Sequence, residues 1–169
     1  VQSNAIVPSS SGTRTDIGRT GNALLFDKEN CGVALNTLRF DGKTPLTIEA
    51  WVTPDQKLST LGRNSYVVAD VETGGLGVRV GMDNKWAIDG NGLGKPVTQK
   101  DDAPHLDVKN NKTHLALVRD NNKASLFIDG KLVQEKEYSG NFKPSTQSFM
   151  LGAQPTGIGT PEQSFCGLI

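Results

Sequence analysis

THLALVRDNNKASLFIDGKLV, Thr113 to Val133, decides the fold class, because two hairpin signals stand in tandem between three short apolar runs. The firmer turn is Asp129-Gly130, between SLFI and KLVQ: glycine, and less readily aspartate, accepts the positive φ that a two-residue primed turn requires. Asn121-Asn122 supplies the second turn. With both loops two residues long, Leu117 lies opposite Leu126, which lies opposite Val133, and Leu115 lies opposite Ile128, so one face becomes a continuous aliphatic surface. The other face then carries His114, Ala116, Val118, Ser125, Phe127, Leu132 and Gln134. A slip of one residue would scatter the aliphatic set, which selects this pairing. A three-stranded ribbon with an apolar face does not persist alone in water, so the rest of the chain must supply the core that it covers.

The bulk properties fit that requirement. A chain of 169 residues suits one domain and can bury roughly two-thirds of its unfolded surface without help from a metal or a disulfide. Lys plus Arg and Asp plus Glu both number 18, for a formal net charge of +0, so no electrostatic funnel for nucleic acid or an anionic membrane is built in. The 19 Gly and 8 Pro make the chain turn-rich. No window sustains a helical apolar period beyond two turns, which argues for an all-β domain. No run approaches the ~18 apolar residues of a membrane span. Val1 opens on polar sequence without a basic-then-apolar leader, so the chain reads as soluble and either mature or excised. Cys31 and Cys166 stand far apart, which excludes a CxxC redox or zinc arrangement and leaves two buried thiols or one long-range disulfide.

Around the meander the chain reads as strand, turn, strand. Val1 to Gly21 is an arm or linker, Ser-, Thr- and Gly-rich. Asn22 to Phe26 and Gly32 to Leu35 are strands joined by a turn at Asp27 to Asn30. Pro45 to Pro54, PLTIEAWVTP, alternates cleanly, with Leu46, Ile48, Ala50 and Val52 on one face and Thr47, Glu49, Trp51 and Thr53 on the other. Further strands are expected at Ser65 to Val71, Leu76 to Met82, Trp86 to Ile88, Gln147 to Ala153 and Phe165 to Ile169. Gly90 to Lys112 reads as the one long irregular connection, a kind of segment that often carries function.

Six segments, taken together, resemble the laminin-G-like members of the concanavalin A-like lectin/glucanase superfamily: ALLFD (Ala23 to Asp27), LTIEAWVTP (Leu46 to Pro54), THLALVRD (Thr113 to Asp120), SLFIDGKLV (Ser125 to Val133), FMLGA (Phe149 to Ala153) and FCGLI (Phe165 to Ile169). The resemblance implies a concanavalin A-like jelly-roll sandwich of two antiparallel sheets over residues 22–169, with ligands on a concave face or at rim loops and, in some relatives, calcium. In the family FCGLI runs on into an acidic strand, so the domain is expected to lack its final strand. The resemblance also places the regions of Cys31 and Cys166 side by side and so implies a disulfide between them, with an oxidising, extracytoplasmic location.

Catalytic chemistry finds little support. Glucanases of this fold carry a Glu-x-Asp-x-x-Glu strand motif whose carboxylates flank the glycosidic bond. The nearest approach is Glu135-Lys136-Glu137, and Gly140 stands where the third acid should fall. That pair reads instead as a solvated strand face. His105 and His114 lack any nucleophile or metal-ligand spacing. Gly90 to Lys95 imitates a phosphate loop, but Pro96 follows where a helix N-terminus would be needed. Calcium wants six to eight oxygens; Asp70, Glu72 and Asp83 are the candidate ligands, with Asp27, Asp41, Asp101 and Asp102 as further loop acids. For sugar binding, Trp51, Trp86 and Tyr66 are the candidate aromatic platforms, and Glu49 shares the Trp51 face. Asn111-Lys112-Thr113 matches the glycosylation acceptor pattern. The expected function is a non-catalytic binding module for polysaccharide or another glycan within a larger extracytoplasmic protein. The alternatives are a structural or protein-interaction module without a glycan site, and a glycoside hydrolase.

Overall fold

The computed structural model describes residues 11–15, 22–71, 74–99, 111–139 and 141–169. Strands β1 (Ser11–Thr15) and β2 (Asn22–Phe26) pair antiparallel and are followed by β3 (Val33–Leu35), β4 (Leu46–Pro54), β5 (Ser65–Ala69), β6 (Leu76–Val80), β7 (Trp86–Gly90) and β8 (Leu93–Gln99). The meander supplies β9 (Thr113–Asp120), β10 (Lys123–Ile128) and β11 (Lys131–Tyr138). Short strands β12 (Phe149–Leu151), β13 (Gln154–Pro155), β14 (Pro161–Glu162) and β15 (Gly167–Leu168) complete the set. An eight-stranded sheet has the order β1-β2-β15-β4-β9-β10-β11-β8, a five-stranded sheet the order β3-β12-β5-β6-β7, and β13-β14 form a small ribbon. The architecture is a nearly all-β jelly-roll sandwich. No helix among the described residues is long and apolar enough to cross a membrane.

The meander takes the register expected of β9 and β10, with Leu117 opposite Leu126 and Leu115 opposite Ile128. Both connections are two residues long; Asp129 and Gly130 adopt φ of 48° and 76°, and Asn121 adopts 48°. Leu115, Leu117, Leu126, Ile128 and Val133 are all buried and join Val52, Val68, Val78, Trp86, Ile88 and Phe149 in one core between the sheets. Each such side chain contributes about 1.5–3 kcal/mol through removal from water.

The β10–β11 pairing departs from expectation. Leu126 faces Gln134, while Phe127 faces Leu132, so Val133 is an extra residue in a β-bulge. The bulge turns Gln134 from the outer to the inner face, where its Oε1 accepts from Ile88 N–H at 2.8 Å. Two residues on, Lys136 Nζ donates to Ile88 O at 2.8 Å. Strand β7 is the edge of the five-stranded sheet, and two side chains of the opposite sheet thus satisfy both backbone groups of Ile88, which a buried edge cannot leave unpaired.

Four further expectations change. The segment read as an arm contributes β1 to the edge of the large sheet. Strands β2 and β3 are not hairpin partners: β2 lies in the large sheet and β3 pairs with β12 in the small one. The first half of the supposed irregular connection is β8, paired with β11; Pro96 is tolerated there because β8 is an edge strand, which needs no amide donor on its open side. Cys31 and Cys166 are two free buried thiols, so the expected disulfide is not shown. Cys31 packs with Phe26 and Val33 in a satellite cluster and donates its N–H to Ser164 Oγ at 2.9 Å, whereas Cys166 belongs to the main core. The topology brings their chain segments together, and Leu151 and Ile169 pack against both clusters. The compartment argument that rested on a disulfide loses that support.

Candidate functional site

Alternation along β4 sends Trp51 and Glu49 outward, away from the core. Register with β9 sets Trp51 beside His114 and Glu49 beside Ala116. The Trp51 and His114 rings lie 4.8 Å apart, tilted by 49°, and Lys112 Nζ sits 4.1 Å from the indole centroid. Glu49 Oε2 reaches His114 Nε2 at 3.5 Å. His114 is held from behind: its N–H donates to Asp129 Oδ1 at 2.9 Å, and Asp129 N–H donates to His114 O at 2.9 Å. Trp51 is 51% exposed. A large ring left half in water on a rigid sheet, with a carboxylate, an imidazole and an ammonium around it, can stack on an apolar ligand face while neighbouring groups bond its polar rim.

Farther along the same face, Val118, Ser125 and Glu135 stand in one transverse row across β9, β10 and β11. They line a cleft of about 330 Å³ with Asp120, Asn121, Asn122 and Lys123. Lys123 Nζ donates to Glu135 Oε1 at 2.9 Å and lies 3.6 Å from Glu137 Oε1, and Ser125 Oγ donates to Glu135 Oε2 at 3.2 Å. The hydrogen bond from Lys123 holds the Glu135 carboxyl below its ordinary range. The Val133 bulge turns Glu135 and Glu137 outward; that they share one strand face is visible in the sequence. Their shared cation across the strand and the cleft at the Asn121 turn are not, since both depend on pairing.

The profile of the laminin-G-like family, described as the concanavalin A-like lectin/glucanases superfamily, matches residues 27–169. The chain belongs to this superfamily. No curated protein matches it. Among solved structures, it is similar to the binding domain of botulinum neurotoxin serotype D, at 11% identity and a TM-score of 0.60, over 89% of this chain and 38% of that one. It is similar to Trypanosoma rangeli sialidase in complex with the inhibitor DANA, at 16% identity and a TM-score of 0.57, over 97% of this chain and 25% of that one. It is also similar to the CBM40 of Ruminococcus gnavus IT-sialidase, at 14% identity and a TM-score of 0.55, over 87% of this chain and 85% of that one. At such identities the likeness is one of fold, and the chain spans well under half of the first two.

Within this concanavalin A-like sandwich the expected site residues separate. Trp51 and Glu49 share one accessible face. Trp86 and Tyr66 do not join them: they are 4% and 3% exposed, Trp86 within the main core. The Tyr66 hydroxyl donates to Asp89 Oδ2, and burial, then the adjacent Asp89 carboxylate, push its pKa well up. Neither ring has a face to offer a ligand. The metal candidates also fail to converge. Asp70 is buried, its Oδ1 accepting from Leu76 N–H at 2.7 Å; Asp83 is exposed in the β6–β7 turn; Glu72, like Asp101, Asp102 and His105, lies outside the described residues. Among the described residues no group of three or more His, Cys, Asp or Glu side chains is placed to hold a metal.

Proposed function

We propose that this chain is a non-catalytic carbohydrate-binding module of a larger extracytoplasmic protein, with Trp51 as its stacking platform. The observation that carries this is the half-exposed indole on a rigid strand, ringed by Glu49, His114 and Lys112. The Lys112 ammonium over the ring marks its π face as reachable, and the electropositive C–H face of a pyranose meets the same surface. The Ruminococcus gnavus CBM40, which matches this fold over most of its own length, is bound to alpha2,3 sialyllactose in one structure and alpha2,6 sialyllactose in another. Glu135 does not suit the general acid of a glycosidase: its carboxyl is held low by Lys123, whereas that acid must be held protonated by a raised pKa.

Affinity gels and a glycan array, run on wild type and Trp51→Ala, test the proposal. The expected result is binding of at least one glycan class by wild type and a loss of about tenfold or more in the variant, or ~1.4 kcal/mol. Wild-type protein unretarded by every glycan overturns it. Reducing sugar released from a polysaccharide panel, and abolished by Glu135→Gln, would restore the hydrolase reading.

A further inference from the structure

We propose that the cleft at the Asn121–Asn122 turn is a subsite for an uncharged, hydroxyl-rich pyranose, so that this module selects neutral glycans over sialylated ones. The inference rests on the carbohydrate-binding reading and adds to it a second contact region and a charge preference.

The cleft is built rather than incidental. Its volume of about 330 Å³ falls within the roughly 300–1,000 Å³ range of small-molecule sites. Its polar groups are pre-oriented by strand register. Glu135 is fixed from two sides, by Lys123 at its Oε1 and Ser125 at its Oε2. A carboxylate has about four lone-pair positions, so two acceptors remain to take hydrogen bonds from a pair of adjacent sugar hydroxyls. Val118 in the same row supplies an apolar patch for ring C–H groups. Asn121, held at φ 48° by the hairpin, sits at the rim. By strand geometry the cleft lies four residues along and two strands across from the Trp51–His114 row, roughly 16 Å away, so an oligosaccharide can engage both.

Charge decides the class of sugar. Glu135 and Glu137 hold the single ammonium of Lys123, and Asp120 also lines the cleft, three carboxylates to one cation. An anionic sugar entering here meets like charge with no free cation to receive it. Recognition of a carboxylate favours the planar fork of arginine, and no arginine lines the cleft. Arg79 is paired with Asp89 at 3.3 Å, Arg63 with Glu29 at 3.6 Å, and Arg119 donates to Gly42 O inside the fold. An ionised carboxylate with spare lone pairs, beside hydroxyl and amide groups, suits a ligand that donates many hydrogen bonds and carries no negative charge.

The test is a set of calorimetric titrations of wild type with neutral gluco-, manno-, xylo- and galacto-oligosaccharides. Lactose and its alpha2,3- and alpha2,6-sialylated forms serve as a matched pair differing in charge. The same neutral ligands are titrated into Glu135→Gln, Ser125→Ala, Asn121→Gly and Trp51→Ala, with a thermal melt of each. Asn121→Gly keeps the positive φ and removes only the amide. The expected result is binding of a neutral oligosaccharide, at least about tenfold weaker binding of any sialylated ligand than of its neutral counterpart, and at least about tenfold weaker neutral binding in Glu135→Gln with the melt unchanged. Sialyllactose bound more tightly than lactose overturns the proposal and leaves the glycan-binding reading in place. So does neutral binding that Trp51→Ala abolishes while all three cleft variants retain it. Wild type that binds no glycan removes both.

Discussion

Replacing Asp70 by Asn changes how stability depends on pH, by an amount that follows from where the side chain sits. Asp70 is 2% exposed, and its Oδ1 bond to Leu76 N–H ties together the two ends of the β5–β6 connection. Gly75 packs against the same oxygen: with φ at +85° and an added Cβ falling 2.3 Å from Asp70 Oδ1, only glycine fits. Burial pushes the carboxyl from its ordinary 3.8 up to about 6, against the opposing pull of the Leu76 and Asp70 N–H groups and of Arg39. A rise of that size corresponds to about 3 kcal/mol, at about 1.36 kcal/mol per pH unit. The folded pKa exceeds the unfolded one, so the folded state holds the proton more tightly. The stabilising contribution is complete below about pH 4 and is lost as pH rises through about 6. Asparagine keeps an acceptor for Leu76 N–H and cannot ionise. The unfolding free energy of Asp70→Asn minus that of wild type therefore climbs by about 2–3 kcal/mol between about pH 4 and about pH 7.5, whatever its value at the acid end. Urea-unfolding curves across that range measure it, and the titrations of distant carboxylates cancel in the difference. A difference constant to within about 0.5 kcal/mol would show that water solvates the carboxylate and refute the reasoning.

Gln134→Leu leaves the Ile88 N–H buried without its acceptor, and the expected cost is about 1–3 kcal/mol by denaturant unfolding, with far-UV circular dichroism unchanged. A loss below about 0.5 kcal/mol would mean that another group or a water takes over the bond. Cys31 and Cys166 are expected to take two alkyl groups in denaturant without prior reduction, none when folded, and to leave the melting temperature indifferent to dithiothreitol; a mass showing no alkylation until a reductant is added would establish the disulfide.

The legible parts of this molecule are those in which local pattern and tertiary environment agree. Leu46 to Pro54 alternates by residue type and by burial alike, because a strand with one wet face needs nothing beyond its own period to orient itself. The β9–β10 register was equally readable from the aliphatic spacing and two turn-forming dipeptides. The Val133 bulge was not: nothing in KLVQEKEY marks the extra residue, which is set by the need of the opposite sheet's edge for an acceptor at Ile88 and for the Lys136 ammonium. Strand β8 was hidden by its own Gly and Pro, residues that argue against a central strand and are harmless at an edge.

The candidate site divides along the same line. Trp51 and Trp86 both open onto alternating strands and look alike as platforms, yet one is 51% and the other 4% exposed. Only the stacking of two sheets decides which parity of each strand is interior. The cysteines show the limit from another side, since topology can place two segments together without joining their side chains. The amino-acid sequence by itself determined the all-β class, the meander and its aliphatic face, and the outward set of β4, because these depend on turn chemistry and a two-residue period. The tertiary structure alone decided which aromatic ring faces solvent, where the bulge falls and how Lys123 gathers Glu135 and Glu137 beside a cleft, because each of these depends on residues far apart in the chain being packed at a fixed separation.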